Sequence, residues 1–436
     1  MGSLPTVQNY NYKNKLWIVL LAILSFFIAI PFVKANIGIA GIILYFIITI
    51  AIQIIFKKNN SLFLAWVALS PTIGQGIFIG SLTLSILDII TLSYLLRDNN
   101  KLFYQNKNIS KAYLVFIVLI LTSYLINTKL AINASIYKEL LLLLVILKYS
   151  LKKHSFADWI GLLKSLQLAA IIGIFLHIFE LITKGSVEGN IFRVSSINAI
   201  HQYLAVGIIS FMFDRYRKGA VVSFLVIIIY IIYAYLSLSR TGMVFSLIIL
   251  FLYIYTYGKL KKINFYSFTP IIVVFLCILS YFGYNYLLEI DEIRAGSNLE
   301  RLGVISYYLQ LIRNNFWWGI GFGNWQQGGK LLQDGLISVS LANGDFSNLN
   351  PHNTFLRFLT DTGIFATLTF LYIFYKNYII AKKNELLHSN KAFFTTSLFV
   401  LLFISFFLAD NSENIHFWAC SCLGATKLIQ INNPNS

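Results

Sequence analysis

The sequence predicts an all-α polytopic membrane protein, and its composition and the length of its apolar runs carry that prediction. The chain has 436 residues, of which 58% are hydrophobic and only 12% are charged, whereas soluble domains carry roughly 25% charged residues. Apolar runs recur at roughly the 20-residue length that a helix needs to cross a bilayer. These runs do not alternate between apolar and polar residues, so they favour helices over the strands of a membrane β-barrel.

We predict about fourteen membrane-spanning helices in a single transmembrane domain, residues 1–436. The predicted spans are residues 16–32, 37–56, 62–78, 82–96, 112–127, 132–149, 157–183, 198–213, 220–238, 241–257, 266–288, 353–376, 392–409 and 415–429. The first run lacks a small-residue cleavage site and is expected to be retained as a span. The third and fourth spans are short and are interrupted near residues 71–76 (PTIGQG).

The positive charge of the chain predicts its orientation in the membrane. The net charge is +17, but most basic residues lie in short turns between spans, which does not suggest a nucleic-acid surface. The clusters are Lys57-Lys58, Lys152-Lys153, Arg215/Arg217/Lys218, Lys259/Lys261/Lys262 and Lys382-Lys383. Such turns are typical of the cytoplasmic side, and an even number of spans then places both termini in the cytoplasm.

Four segments would face the opposite, outer side together. They are residues 184–197, the tight turn at 239–242, the long polar segment 289–351 and the short acidic segment 410–414. Part of the long segment is amphipathic, because apolar residues recur there at helical spacing. These residues are Leu299, Leu302, Ile305, Leu309 and Ile312. Residues 314–325 then read as an aromatic, glycine-rich turn, whose Trp317 and Trp318 suit the membrane interface.

The long outer segment closes on Pro351, His352 and Asn353. Proline suits the first turn of a helix, so His352 and Asn353 would lie at the mouth of the helix that continues from Thr354. A neutral imidazole at that position can accept a proton from a hydroxyl near pH 7. The alternative interpretation is a polar helix start with an interfacial histidine.

Three arginines, Arg193, Arg240 and Arg301, lie on the same predicted face as His352. Taken singly, each is explained as a snorkelling or solvated side chain. Taken together they suit an anion site, because guanidinium groups bind phosphate oxygens bidentately and keep their charge at any relevant pH. The arrangement therefore favours recognition of a pyrophosphate.

The sequence does not decide the roles of the other ionisable residues in the predicted spans. Asp88 and Glu139, the latter next to Lys138, fit either structural ion pairs or a proton path. The histidines in or beside spans are interpreted as packing residues; they are His177, His201 and His416.

Several kinds of chemistry are not expected. The three cysteines, Cys277, Cys420 and Cys422, give neither a metal-binding spacing nor a disulfide framework. The sequence contains no carboxylate pair at metal-cage spacing, no Asp-x-Asp motif and no P-loop. We therefore expect no metal ion, no cofactor and no ATP hydrolysis.

Each arginine of the predicted anion site lies in a short motif. Arg193 opens residues 193–199 (RVSSINA), ahead of a predicted span, and Arg240 lies in the turn 239–242 (SRTG). Arg301 is followed by a helical stretch and by the glycine-rich residues 319–323 (GIGFG).

A fourth motif, PHN at 351–353, is followed by DTG at 361–363. In this order the four motifs resemble those of the O-antigen ligase and O-antigen polymerase superfamily of bacterial cell-envelope enzymes. That family usually has proline where Ile197 stands and glutamate where Asp361 stands. The resemblance covers residues 193–370, and the earlier spans match it only in character.

The resemblance implies a GT-C-like architecture whose large periplasmic loop, residues 289–351, carries short helices. It implies metal-independent glycosyl transfer on the periplasmic side of the bacterial inner membrane, with a glycan on undecaprenyl pyrophosphate as donor. Arg240 and Arg301, joined by Arg193, would stabilise the departing pyrophosphate. His352 would accept the proton of the acceptor hydroxyl, with inversion at the anomeric carbon. The supporting motif residues are Pro351, Asn353 and Asp361.

Within the family the same residues serve three acceptors. A polymerase extends a second lipid-linked repeat unit, a ligase transfers to lipid A core, and a third branch glycosylates proteins. The extra spans, the PHN form of the motif and the modest outer loop favour the polymerase, for which a chain-length regulator protein is a candidate partner. The ligase is the alternative. A transporter or flippase would more often show inverted repeats, which this sequence lacks.

Overall fold

The computed structural model describes residues 61–72, 76–79, 82–96, 107–127, 134–152, 154, 156–184, 197–214, 220–237, 239–260, 304–322, 324, 353–389, 393–408 and 415–425. These residues form twelve α-helices and one short β-hairpin. The helices are α1 (Ser61–Ala68), α2 (Ile86–Leu96), α3 (Lys107–Ile126), α4 (Ala134–Ser150), α5 (Phe156–Lys184), α6 (Ile197–Asp214), α7 (Ala220–Leu236), α8 (Arg240–Leu260), α9 (304–314), α10 (Thr354–Ser389), α11 (Phe393–Leu408) and α12 (Ile415–Ala425). The predicted spans 16–32, 37–56 and 266–288 lie outside the described residues.

The third and fourth predicted spans, 62–78 and 82–96, are wrong. The chain forms the short helix α1 and a 3-10 turn at Ser70–Thr72, which contains Pro71. Strands β1 (Gly76–Ile79) and β2 (Leu82–Ser85) then pair antiparallel, and α2 follows directly. The paired strands interrupt both predicted spans, so neither span is one continuous helix over its predicted bounds. Both strands lie in apolar sequence that was predicted to span the membrane because of its length and composition.

Two described helices are long and apolar enough to cross a membrane by length and composition, over Asn108–Ile126 in α3 and Thr354–Leu386 in α10. Five shorter apolar helices accompany them, within Leu87–Leu96, Ile200–Phe213, Val221–Leu236, Thr241–Tyr255 and Phe394–Phe407. The predicted all-helical character is therefore confirmed for most of the described chain. The number of about fourteen spans stays a prediction.

The largest buried cluster joins most of the described helices into one core. Helices α5 and α6 pack along each other, and α3 packs against α10. Helix α11 contacts α6, α8 and α10, so it lies between the region of the SRTG turn and the helix that follows the PHN motif. Apolar side chains also cover outer faces, as on α7, where Val221, Leu225, Ile229, Ile232 and Leu236 are exposed. An exposed apolar face of this kind is typical of contact with lipid.

Helix α9 buries a different face from the apolar stripe seen in the sequence. Its buried side consists largely of Val304, Tyr307, Tyr308 and Leu311, which pack with Ile320 in a second cluster. Of the stripe, Ile305 and Leu309 are exposed and Ile312 is buried, and Leu299 and Leu302 lie outside the described residues. The aromatic rings, which bury more apolar area, occupy the inner face instead.

Candidate functional site

The SRTG motif forms the capped start of α8. The Ser239 hydroxyl accepts a hydrogen bond from the Gly242 N–H at 3.0 Å, and the Ser239 carbonyl accepts one from the Met243 N–H at 3.0 Å. Arg240 is the first residue of the helix. Its backbone therefore lies at the positive end of the helix dipole, where anions are stabilised.

The first turn of α6 packs against this cap through His201. A Cβ added at Gly242 would lie 2.5 Å from both Nδ1 and Cε1 of the buried His201 ring, so only glycine permits this approach. The His201 Nε2 lies 2.8 Å from the Ser237 hydroxyl, which itself donates to the Ala234 carbonyl. The contact ties the helix that begins at Ile197, just after Arg193, to the SRTG turn.

The packing role predicted for His201 is therefore confirmed. His177 is also buried and meets the Tyr233 ring edge-on at 5.7 Å between centroids. His416 lies in α12, and its side chain is outside what the structure describes.

Asn353 caps α10. Its side-chain carbonyl oxygen accepts hydrogen bonds from the N–H groups of Phe355 at 3.0 Å and Leu356 at 3.1 Å. Its backbone carbonyl accepts the Arg357 N–H at 3.0 Å, which is the first turn of the helix. Asn353 thus lies at the mouth of the helix, as the sequence predicts, and His352 directly precedes the cap in the chain.

A sharp break at Gly363 divides α10. The residue has φ 74° and ψ −175°, which is far from helical geometry and is essentially restricted to glycine. Residues 354–362 are therefore a separate helical segment, and its orientation is not dictated by the remainder of α10.

Residues 315–324, which contain the GIGFG glycines, dock against this break through backbone hydrogen bonds. The Ile320 N–H donates to the Thr360 carbonyl at 2.8 Å, the Gly321 N–H to the Asp361 carbonyl at 3.0 Å, and the Ile364 N–H to the Phe316 carbonyl at 3.0 Å. The segment behind Arg301 and the segment behind His352 thus meet in one junction.

The glycines of both motifs permit this junction because the two backbones touch. A Cβ at Gly319, where φ is +67°, would lie 2.5 Å from the Asp361 carbonyl. A Cβ at Gly363 would lie 2.2 Å from the Trp317 carbonyl oxygen. Glycine at 319 and at 363 is therefore explained by close approach between the backbones of residues 317–319 and 360–363.

The carboxyl end of α3 completes the junction from a third side. The Ser123 hydroxyl lies 2.6 Å from the Trp318 carbonyl and 2.9 Å from the Asp361 carbonyl, so its proton is shared between two backbone acceptors. The Asn127 side-chain amide donates to the Gly319 carbonyl at 3.2 Å. Sequence reasoning missed both residues, and their only signal was polar character near the end of a predicted span.

A buried ionic cluster lies between the Asn353 cap and the Gly363 break. Arg357 Nη2 is 2.5 Å from Oε1 of Glu139 in α4, and Arg357 Nε is 3.6 Å from Oδ2 of Asp361. Of the two roles left open for Glu139, the structure shows ion pairing. Lys138 and Asp88 form a second, partly exposed pair at 3.7 Å.

The structure describes only part of the predicted site. Arg193, Arg301, Pro351 and His352 lie outside the described residues, and for Arg240 the backbone but not the side chain is described. The supporting residues Asn353 and Asp361 are both described, the first as the helix cap and the second at the junction. Convergence of the three arginines with His352 stays a prediction.

Comparison with known families bears on the same region. Residues 223–371 match the O-antigen ligase family. Over these residues the chain is similar to that family. The resemblance to the O-antigen ligase and polymerase superfamily is thereby confirmed over the part of the chain that holds Arg240, Arg301, His352 and the junction, whereas Arg193 lies outside the match. No curated protein sequence matches this chain.

The family match supports a general functional class. Proteins of this family are integral membrane proteins, are glycosyltransferase-like and act on lipid-linked oligosaccharides. The match therefore supports an O-antigen ligase or polymerase type of function for this chain and an integral membrane location.

Proposed function

We propose that this protein is an O-antigen or capsular polysaccharide polymerase of the bacterial inner membrane. It transfers a glycan from undecaprenyl pyrophosphate to the terminal sugar of another lipid-linked repeat unit on the periplasmic side. One observation supports this most directly: the glycine-rich segment behind Arg301 and the DTG residues behind His352 share one backbone junction. Two motifs separated along the chain are thus built into one rigid unit.

The proposed chemistry is an inverting displacement at the anomeric carbon. The acceptor hydroxyl oxygen forms the new glycosidic bond as the bond from the anomeric carbon to the pyrophosphate oxygen breaks. The hydroxyl proton passes to the His352 imidazole, and undecaprenyl pyrophosphate leaves with the bonding electrons. The guanidinium groups of Arg240 and Arg301, with Arg193, stabilise the negative charge that develops on the leaving group.

Helix geometry supports the assignment of Arg240 and His352 to an anionic donor. Arg240 begins α8 behind the Ser239 cap, and His352 precedes α10 and its Asn353 cap. The positive end of a helix dipole stabilises nearby anionic groups such as phosphates. Both residues therefore come from backbone positions that favour a pyrophosphate.

The ligase is the second candidate, because the matched family carries the description O-antigen ligase. Gel analysis of envelope glycans from a strain lacking this gene separates the two. Lipid A core bearing a single repeat unit indicates a polymerase, and bare core with accumulating lipid-linked polymer indicates a ligase. Neither the described residues nor the family match identifies a surface for a chain-length regulator protein.

Replacing Arg301 with lysine tests bidentate contact with the pyrophosphate. Lysine keeps the charge but loses the planar fork, so we expect turnover to fall at least tenfold, or about 1.4 kcal/mol in the transition state. Turnover of a purified lipid-diphosphate donor measures the effect, and an exposed arginine of the same region, Arg313, replaced by lysine is the matched control. Wild-type turnover by R301K would contradict the fork contact.

The proposed use of arginine charge predicts how the enzyme responds to chelation. EDTA is expected to leave the turnover of the purified enzyme unchanged, because guanidinium groups neutralise the leaving group. The rate is measured with and without EDTA, followed by addition of Mg²⁺. Inhibition that Mg²⁺ reverses would contradict the proposed mechanism.

A further inference from the structure

The ion cluster around Arg357 is the most deeply buried group of charges that the structure describes near the junction. The side chains of Arg357, Glu139 and Asp361 are 3%, 2% and 0% exposed. Arg357 and Asp361 are four residues apart, on successive turns of one face of α10. Glu139 comes from α4, 218 positions from Arg357 in the chain. Within this cluster one guanidinium faces two carboxylates.

Stability alone does not account for such a cluster. Replacing a buried ion pair with well-packed apolar residues is often neutral or stabilising, because desolvation offsets much of the attraction between the charges. Within a membrane protein the desolvation is more unfavourable still, and buried charge there usually marks a function.

The place of the cluster on α10 indicates what it does. Arg357 lies four residues after the Asn353 cap, about 6 Å along the helix axis, and six residues before the break at Gly363. The short segment 354–362 is held near its end by the junction with residues 315–324 and α3. Phe355 also packs against Phe406 and Phe407 of α11, and Phe358 against Phe116 of α3. The pair with Glu139 adds a charged tie, to α4, nearer the cap, and this further restrains the position of the segment.

We propose that Glu139 is a positioning residue for glycosyl transfer. Its carboxylate holds Arg357, and through Arg357 it fixes the segment 354–362, whose capped end is preceded by His352. This inference rests on the proposed function in its assignment of His352 as the proton acceptor. The tie between α4 and the segment is independent of that assignment.

Substitution of glutamine for Glu139 tests the proposal. Glutamine keeps the shape of the side chain but loses its charge, which leaves Arg357 balanced by Asp361, so E139Q is expected to fold and to melt close to wild type. Misplacement of a reacting group by about 1 Å can reduce a rate up to a hundredfold. With purified undecaprenyl-diphosphate oligosaccharide we expect kcat to fall at least about tenfold while KM for the donor changes less than about threefold.

A second readout follows the segment itself without using activity. Amide hydrogen exchange of the full-length E139Q protein is expected to speed up over residues 354–362 and to stay at the wild-type rate over residues 368–386. If the wild-type protein transfers no glycan, the proposed function fails, yet this comparison still tests the tie. E139D restores a carboxylate and is expected to recover part of kcat and of the exchange protection.

The matched control is D88N. It removes a carboxylate that pairs with Lys138, the neighbour of Glu139, where the side chains of Lys138 and Asp88 are 39% and 19% exposed. D88N is expected to leave kcat and exchange over 354–362 unchanged. Wild-type kcat in E139Q would overturn the proposal, as would exchange that rises along the whole of α10, because that pattern indicates general loss of stability.

Discussion

Replacement of His352 with alanine is expected to abolish glycan transfer while expression and binding of the lipid donor stay close to wild type. A general base contributes about 10²- to 10⁴-fold to a rate, and alanine leaves no group to accept the proton of the acceptor hydroxyl. Donor binding should persist, because in the proposed mechanism the arginines contact the pyrophosphate and His352 contacts the acceptor. The measurement is turnover of purified lipid-linked donor alongside a direct donor-binding assay.

The same helix supplies the control for this experiment. His388 lies near the other end of α10, and H388A removes an imidazole without approaching the PHN motif. H388A is expected to be fully active. Normal transfer by H352A would remove His352 from the mechanism, and equal loss of donor binding and transfer would assign it a binding role instead.

Replacement of Gly363 with alanine is expected to destabilise the protein strongly and to separate residues 315–322 from the break in α10. The residue adopts φ 74° and ψ −175°, and a Cβ there would lie 2.2 Å from the Trp317 carbonyl oxygen. Backbone strain alone is worth about 1–3 kcal/mol, and the collision with backbone adds to it. We expect a loss of about 3 kcal/mol or more, measured by thermal or denaturant unfolding in detergent.

A glycine in a regular helix provides the comparison. A Cβ at Gly173 in α5 would meet its nearest atoms, in Pro71 and Tyr203, at 3.9 Å. G173A is therefore expected to be neutral or slightly stabilising, because alanine favours the helix by about 1 kcal/mol. Equal stability of G363A and G173A would contradict the requirement for glycine at the junction.

Features that local sequence determines were predictable. The start of α10 follows from a proline, a capping asparagine and an apolar run, and the helix begins at Thr354 as expected. Helices α4, α6, α7 and α11 begin and end within about two residues of the predicted spans, because apolar runs bounded by polar turns mark both limits. In contrast, α10 continues to Ser389, because the residues after 376 include the good helix formers alanine, lysine, glutamate and leucine.

Features that depend on distant contacts were not predictable. Part of the apolar runs at 62–78 and 82–96 forms a β-hairpin. Apolar β-branched residues occur both in membrane-spanning helices and in strands, and contacts with the rest of the fold decide between the two. Glu139 and Arg357 are far apart in the chain, so no local pattern links them. Gly319 and Gly363 can be read from the sequence. The reason for both glycines, close contact between two backbone segments, becomes apparent only in the three-dimensional structure.

The central claim is that the side chains of Arg240, Arg301 and His352 converge on one lipid diphosphate. A cryo-EM structure of the full-length protein with a bound undecaprenyl-diphosphate oligosaccharide measures this directly. The account predicts guanidinium nitrogens of Arg240 and Arg301 about 3 Å from phosphate oxygens, with the His352 imidazole on the other side of the anomeric carbon, facing the acceptor site. A donor bound away from these three residues, or three side chains on opposite membrane faces, would contradict it.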